Sequence, residues 1–213
     1  MARERCKVCC NAAAACICKW VSPVFNKTTV VILQHTDEVK KPLGTAKIVS
    51  LCLQNSTTRI GVDFSNDLYL NQLLDCAGSG LRVLYPSESS VALKDWRCIQ
   101  QKNNQATPDL VPKTLIVLDG TWRKVARMLH LNPWLSELPC FAIDADYAQH
   151  ASQYLIRKSP RADGLSTIEA AVKVLNDLHD QKAFDPILGA FNKMIEFQIN
   201  AMGSETFHKN YSS

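Results

Sequence analysis

Asp119-Gly120-Thr121-Trp122 sets a carboxylate, a hydroxyl and an indole side by side, directly after the aliphatic run Thr114 to Leu118. A carboxylate at such a point can take up a proton or hold a cationic group, and a neighbouring hydroxyl can orient either. Arg123, Lys124 and Arg127 follow in the next turns, a set of cations suited to a polyanion. The same residues would also serve an ordinary strand–turn–helix in which Asp119 and Thr121 only cap. The second reactive group is sulfur. Cys6, Cys9, Cys16 and Cys18 form a C-x2-C pair and a C-x-C pair joined by a short loop, with Cys10 as an extra thiol. Four thiolates so spaced can surround Zn²⁺ tetrahedrally and fold a segment too small for a core of its own. An iron–sulfur cluster uses the same kind of ligands, and unligated cysteines are the plain alternative. Arg3, Arg5, Lys7 and Lys19 lie around the quartet and favour the thiolate form.

These groups need elements to carry them. Thr114 to Leu118 reads as a strand buried on both faces. Gly120 permits a tight turn, left-handed if required, and Thr121 is placed to cap a helix whose apolar stripe is Val125, Met128 and Leu129. A strand delivering an acid to a helix N-terminus is where open α/β sheets put their ligands. Further strands are predicted at Thr28 to Leu33, Arg59 to Val62, Leu81 to Tyr85 and Cys140 to Ile143. Helices are predicted at Ala46 to Leu53, Asp67 to about Cys76, Thr167 to Leu178 and Asp185 to about Met202. Asn132-Pro133 ends the central helix, Ser166 or Thr167 caps the one that follows, and Glu169 lies in its first turn. Gln100 to Pro112 reads as a polar connector. Strands alternating with helices give an α/β fold, a mostly parallel sheet with helices on both faces.

Composition bounds the function. The chain has 213 residues, 46% hydrophobic and 21% charged, as in a soluble globular protein. The net charge of +4 permits a polyanionic partner without demanding one. No apolar run is long enough for a membrane span, and the apolar stretch after Lys7 is too short and too rich in cysteine for a secretory leader. Nine cysteines then point to a reducing compartment, the cytoplasm, with Cys52, Cys76, Cys98 and Cys140 as core residues. There is no G-x-G-x-x-G and no G-x-x-x-x-G-K, so neither common nucleotide fingerprint is present.

Five segments in order carry a resemblance. They are the cysteine quartet, His35-x-x-Glu38 with Gly44-Thr45, Tyr85-Pro86-Ser87-Glu88, Asp119-Gly120-Thr121-Trp122, and Tyr154-x-x-Arg157-Lys158 followed by Ser166-Thr167-x-Glu169-Ala170. Together, from Cys6 to about Leu178, they resemble the DTW-domain family of tRNA-uridine aminocarboxypropyltransferases; Cys10 and Thr36 are less typical of it. The resemblance implies transfer of the 3-amino-3-carboxypropyl group of S-adenosylmethionine to N3 of a tRNA uridine, releasing 5′-methylthioadenosine. It also implies a fold similar to the knotted SPOUT-class RNA methyltransferases. On that footing residues 1–27 form a zinc-binding segment, 28–203 the catalytic DTW domain and 204–213 a loose tail.

The resemblance also distributes roles. Pro86, Ser87, Leu118, Leu165, Ser166, Thr167 and Glu169 would surround S-adenosylmethionine. Uridine N3 is a poor nucleophile while protonated, so a base is needed. Asp119 is preferred, with Glu38, His35 and Glu169 as rivals, and holding the amine of the donor is its alternative role. Thr121, Ser87 and Ser166 could fix the transferred chain. Trp122 could stack on adenine or on an extruded uridine, or simply pack. His35 and Glu38, with the cations Arg123, Lys124, Arg127, Arg157 and Lys158, would face tRNA; Arg161 extends that set, and solvated surface is the plain reading of each cation. Cys6, Cys9, Cys16 and Cys18 would bind the metal. A SPOUT-like RNA methyltransferase, an rRNA aminocarboxypropyltransferase and a non-catalytic zinc-dependent RNA-binding protein are the competing readings.

Overall fold

A computed structural model describes residues 4–41, 44–77, 80–93, 95–96, 111–144, 147, 164–179 and 182–211. Strands β1 (Thr29–Gln34), β2 (Ser56–Ile60), β3 (Leu81–Leu84), β4 (Val91–Ala92), β5 (Thr114–Asp119) and β6 (Cys140–Ala142) form one sheet in the order β2-β1-β5-β3-β6-β4. Every pairing is parallel. The helices are α1 (Thr45–Cys52), α2 (Leu68–Ala77), α3 (Trp122–Leu131), α4 (Pro133–Glu137), α5 (Thr167–Leu178), α6 (Asp185–Met202) and α7 (Ser204–Tyr211).

The aliphatic runs explain the layering. Along β1, Val30 and Ile32 enter one core and Val31 and Leu33 the other; along β5, Leu115 and Val117 enter the first and Ile116 the second. All seven are at most 2% exposed, as the period-two alternation of a doubly covered strand requires. Ile48 of α1, Val172 and Leu175 of α5 and Phe191 of α6 fill the first core. Leu70 of α2, Met128 of α3 and Leu135 of α4 fill the second. The cysteine-rich segment joins the first core through Cys9 and Ile17. The expected α/β sheet covered on both faces is therefore present. The knot that the resemblance implies depends on the path between Asp144 and Gly164, most of which lies outside the described residues.

Some boundaries differ from expectation. The second strand runs from Ser56 to Ile60 rather than from Arg59 to Val62, because an edge strand half open to water needs no apolar run. Asn132-Pro133 does end α3, yet Pro133 also begins α4, since proline fits the first turn of a helix. Residues 204–211, read as a loose tail, form α7, with Phe207 and Tyr211 on one side of the helix against the first core. Cys52 and Cys140 are core residues as expected; Cys76 is exposed on α2, and Cys98 lies outside the described residues. No described helix is long and apolar enough to cross a membrane.

Candidate active site and metal centre

The neighbouring strands β1 and β5 end together. Gln34, last in β1, is in register with Asp119, last in β5, and the His35 backbone N–H donates to the Asp119 carbonyl at 3.0 Å. The Asp119 side chain is 6% exposed. Its Oδ2 accepts from Gln34 Nε2 at 2.8 Å and its Oδ1 from Thr167 Oγ1 at 2.6 Å. Hydrogen bonds to both oxygens fix the plane of the carboxylate. Gln34 is missed by the sequence reading; the signal that could have found it is an amide directly after the aliphatic run Thr28 to Leu33.

Thr167 is the first residue of α5, so the bond to Asp119 anchors that helix N-terminus over the sheet edge. Ser166 caps α5 in a full capping box. Its hydroxyl and backbone N–H both donate to Glu169 Oε2, at 2.6 and 2.8 Å, and its Oγ accepts from Glu169 N at 3.4 Å. This division of labour separates two adjacent hydroxyls: Ser166 serves the helix and Thr167 serves Asp119. Leu165 and Leu118 are half-buried beside this junction.

On the other side Gly120 leads into α3. Its φ is not positive, contrary to the left-handed turn allowed from sequence. The glycine is needed for close approach instead: a Cβ there would sit 3.2 Å from Lys124 Cβ and 3.7 Å from His35 Cβ. Thr121 does occupy the N-cap, but it caps through its carbonyl, which accepts from Val125 N at 2.9 Å, and not through its hydroxyl. Trp122 is 36% exposed, and its ring lies 6.3 Å from that of Tyr85, which follows β3. Pro86 is exposed in the same loop, and the half-buried Ser87 reaches toward Cys140 of β6, whose thiol burial pushes up and Ser87 partly draws back down.

His35 and Glu38 lie inside the structure, 5% and 7% exposed. His35 Nδ1 accepts from Asp37 N at 3.2 Å and so caps the short 3-10 turn Thr36–Glu38. Glu38 binds Lys41 at 2.8 Å and Lys124 at 2.9 Å, and Lys124 also reaches Asp37 at 3.3 Å. Burial opposes ionisation of Glu38, yet the two ammonium groups outweigh it and hold its carboxyl below the ordinary value. Bonding to Glu38 in turn raises Lys124. The cations expected to face tRNA thus divide. Lys124 clamps α3 to the segment after β1, Arg123 and Arg127 are exposed, and Arg157, Lys158 and Arg161 lie outside the described residues.

The four thiols of Cys6, Cys9, Cys16 and Cys18 lie within 4.8 Å of one another. Cys6 and Cys18 sulfurs are 3.7 Å apart and Cys9 and Cys16 sulfurs 3.8 Å apart. A tetrahedron with Zn–S bonds of about 2.3 Å has edges of about 3.8 Å, so the quartet could hold such an ion. Thiols this close cannot ionise independently. Backbone N–H groups of Cys9 and Val8 draw Cys6 down to about 6, while burial and the other thiols push Cys18 up to about 12. A divalent cation relieves that conflict. Cys10 stays outside the cluster, exposed, with φ of 57° at the turn that closes the first pair.

The DTW domain family matches residues 3–199. The chain is 27% identical over 214 positions to tRNA-uridine aminocarboxypropyltransferase 2 of Mus musculus, covering 98% of this chain and 68% of the relative. It is 30% identical over 180 positions to the Drosophila melanogaster protein of the same name, covering 81% and 66%. With tRNA-uridine aminocarboxypropyltransferase A of Arabidopsis thaliana it shares 22% over 218 positions, covering 92% and 81%. The chain spans about two thirds of the length of the animal relatives. No solved structure matches it.

Proposed function

The chain belongs to the DTW-domain family, and from that premise we propose that it transfers the 3-amino-3-carboxypropyl group of S-adenosylmethionine to N3 of a tRNA uridine. The observation that carries this reading is Asp119, oriented by Gln34 and Thr167 where β1, β5 and the N-terminus of α5 converge. Its rivals as base are engaged elsewhere: Glu38 with two lysines, Glu169 in the capping box, and His35 with Asp37. Gln34 and Thr167 are neutral donors that set the direction of the Asp119 carboxylate.

The reaction needs little more than alignment. The carboxylate accepts the N3 proton, the N3 electron pair forms a bond to the γ-carbon of the methionyl chain, and the γ-carbon–sulfur bond breaks. Its electron pair goes to sulfur, which leaves as neutral 5′-methylthioadenosine. The sulfonium activates each adjacent carbon, so choosing this chain over the methyl is a matter of position. The Tyr85–Trp122 pair offers a stacking platform for adenine or for the uridine taken out of its stack. Ser87, Thr121 and the Pro86 and Leu165 backbones are the groups we assign to holding the donor. The quartet is proposed as a structural zinc site, since its sulfurs share a core with the catalytic sheet. We place the activity in the cytoplasm, where a cysteine-rich chain keeps its thiols reduced.

The test is product identity. Incubating the chain with S-adenosylmethionine and tRNA should release methylthioadenosine in step with a tRNA uridine heavier by the aminocarboxypropyl group. Release of S-adenosylhomocysteine with a methylated base would overturn the reading.

A further inference from the structure

The exposed face of α3 is organised around two features: the indole of Trp122 at its start, and Arg123, Arg127 and His130 along one stripe. Arg123 and Arg127 are four residues apart and Arg127 and His130 three, so on a helix they are neighbours on one ridge. Val125 and Met128 point the other way, into the core. The fourth cation, Lys124, is turned to Glu38 and Asp37. By contrast Arg123, Arg127 and His130 have no ion-pair partner among the described residues. An arginine ridge without acids of its own is poised for an external anion.

We infer that the Arg123–Arg127–His130 ridge is the track on which the tRNA backbone is held, leading its strand to the Trp122–Tyr85 platform. This rests on the reading that the substrate is tRNA. From Arg123 to His130 the helix rises about 10 Å, the axial span of about three phosphates on one strand. Within that span the guanidinium forks of Arg123 and Arg127 and an imidazole N–H of His130 each meet a backbone phosphate. Trp122 begins the same helix, so a strand held along the ridge runs toward the end of α3 that carries the ring. Lys124 plays a different part, positioning α3 through Glu38 rather than touching RNA.

The experiment measures binding of an unmodified tRNA transcript to the full chain between about 50 and 200 mM salt, alongside turnover with S-adenosylmethionine. The double variant Arg123→Gln/Arg127→Gln should bind at least tenfold more weakly at low salt. Each arginine removed should flatten the slope of log affinity against log salt by roughly one. KM for tRNA should rise with kcat nearly kept, and Arg→Lys replacements should restore the slope. His130→Ala should weaken binding a few-fold. Lys193→Gln, an exposed lysine on α6 across the sheet, should change nothing. All replaced side chains are exposed, so thermal unfolding should stay at the wild-type midpoint. Unchanged affinity and slope in the double variant would overturn the inference. Slope losses in the variants, with a wild type that makes no aminocarboxypropyl product, would keep the ridge and discard the proposed reaction. A chain that does not bind tRNA at all would overturn both.

Discussion

Thr167 gives its hydroxyl hydrogen to Asp119 Oδ1 at 2.6 Å, joining the first residue of α5 to the last residue of β5 across 48 positions of sequence. The bond ties helix placement to carboxylate orientation, so the two cannot be altered separately. Thr167→Val keeps the shape and removes the donor. A hydrogen bond to a charged group contributes about 1.5–3 kcal/mol, and the urea midpoint should fall accordingly. Turnover should fall further than stability alone would explain, and Thr167→Ser should retain both. A Thr167→Val enzyme with normal stability and normal kcat would contradict the proposed role.

Glu38 should make stability depend on acid. Its folded-state carboxyl lies below its ordinary value of 4.5. A group depressed in the folded state contributes stability above its unfolded value, and that contribution is lost as pH falls through the folded value. Urea midpoints measured from pH 7 downward should therefore drop below about pH 4.5 for the wild type. Glu38→Gln should start lower and show a shallower fall, and Lys124→Met should also start lower because it leaves a buried carboxylate with one fewer partner.

The quartet should behave as one site. Metal analysis should find one ion per chain, lost on Cys6→Ser, Cys9→Ser, Cys16→Ser or Cys18→Ser. Chelation should lower the thermal midpoint of the whole chain and not only loosen its N-terminus, since Cys9 and Ile17 are built into the main core. Cys10→Gly should keep the metal and be neutral to stabilising, because φ of 57° is a conformation glycine adopts without strain. Loss of metal in that variant would make Cys10 a ligand.

Trp122 should matter as a surface for stacking. Stacking on an aromatic ring contributes about 1–3 kcal/mol per base, which corresponds to about 5- to 150-fold in affinity. Trp122→Ala should weaken tRNA or S-adenosylmethionine by an amount in that range, and Trp122→Phe should recover most of it. The substrate whose KM moves identifies the ring's partner. If neither moves, the indole serves packing alone.

The sequence made local features legible and long-range ones obscure. Thr28 to Leu33 and Thr114 to Leu118 declare buried strands because each side must be apolar. Ser166-x-x-Glu169 declares a capping box, and Asp67 a helix start, where its Oδ1 accepts from Leu70 N at 3.1 Å. What could not be read is which hydroxyl of the Ser166-Thr167 pair turns toward the sheet. That depends on where α5 lands, not on its own residues. Glu38 and Lys124 are 86 residues apart, and nothing nearby marks the glutamate as buried. The two-residue strand β4, the short helix α4 and the terminal helix α7 are likewise set by their neighbours, each being too short or too polar to declare itself.

The central claim is that Asp119 serves aminocarboxypropyl transfer to a uridine. It is tested most directly by nucleoside mass analysis of tRNA after incubation with S-adenosylmethionine and either the wild type or Asp119→Ala. The account predicts a uridine carrying the aminocarboxypropyl group on N3 with the wild type, and at least a thousandfold less of it with a folded Asp119→Ala chain. A methylated product, no product despite tRNA binding, or near-normal product from Asp119→Ala would contradict it.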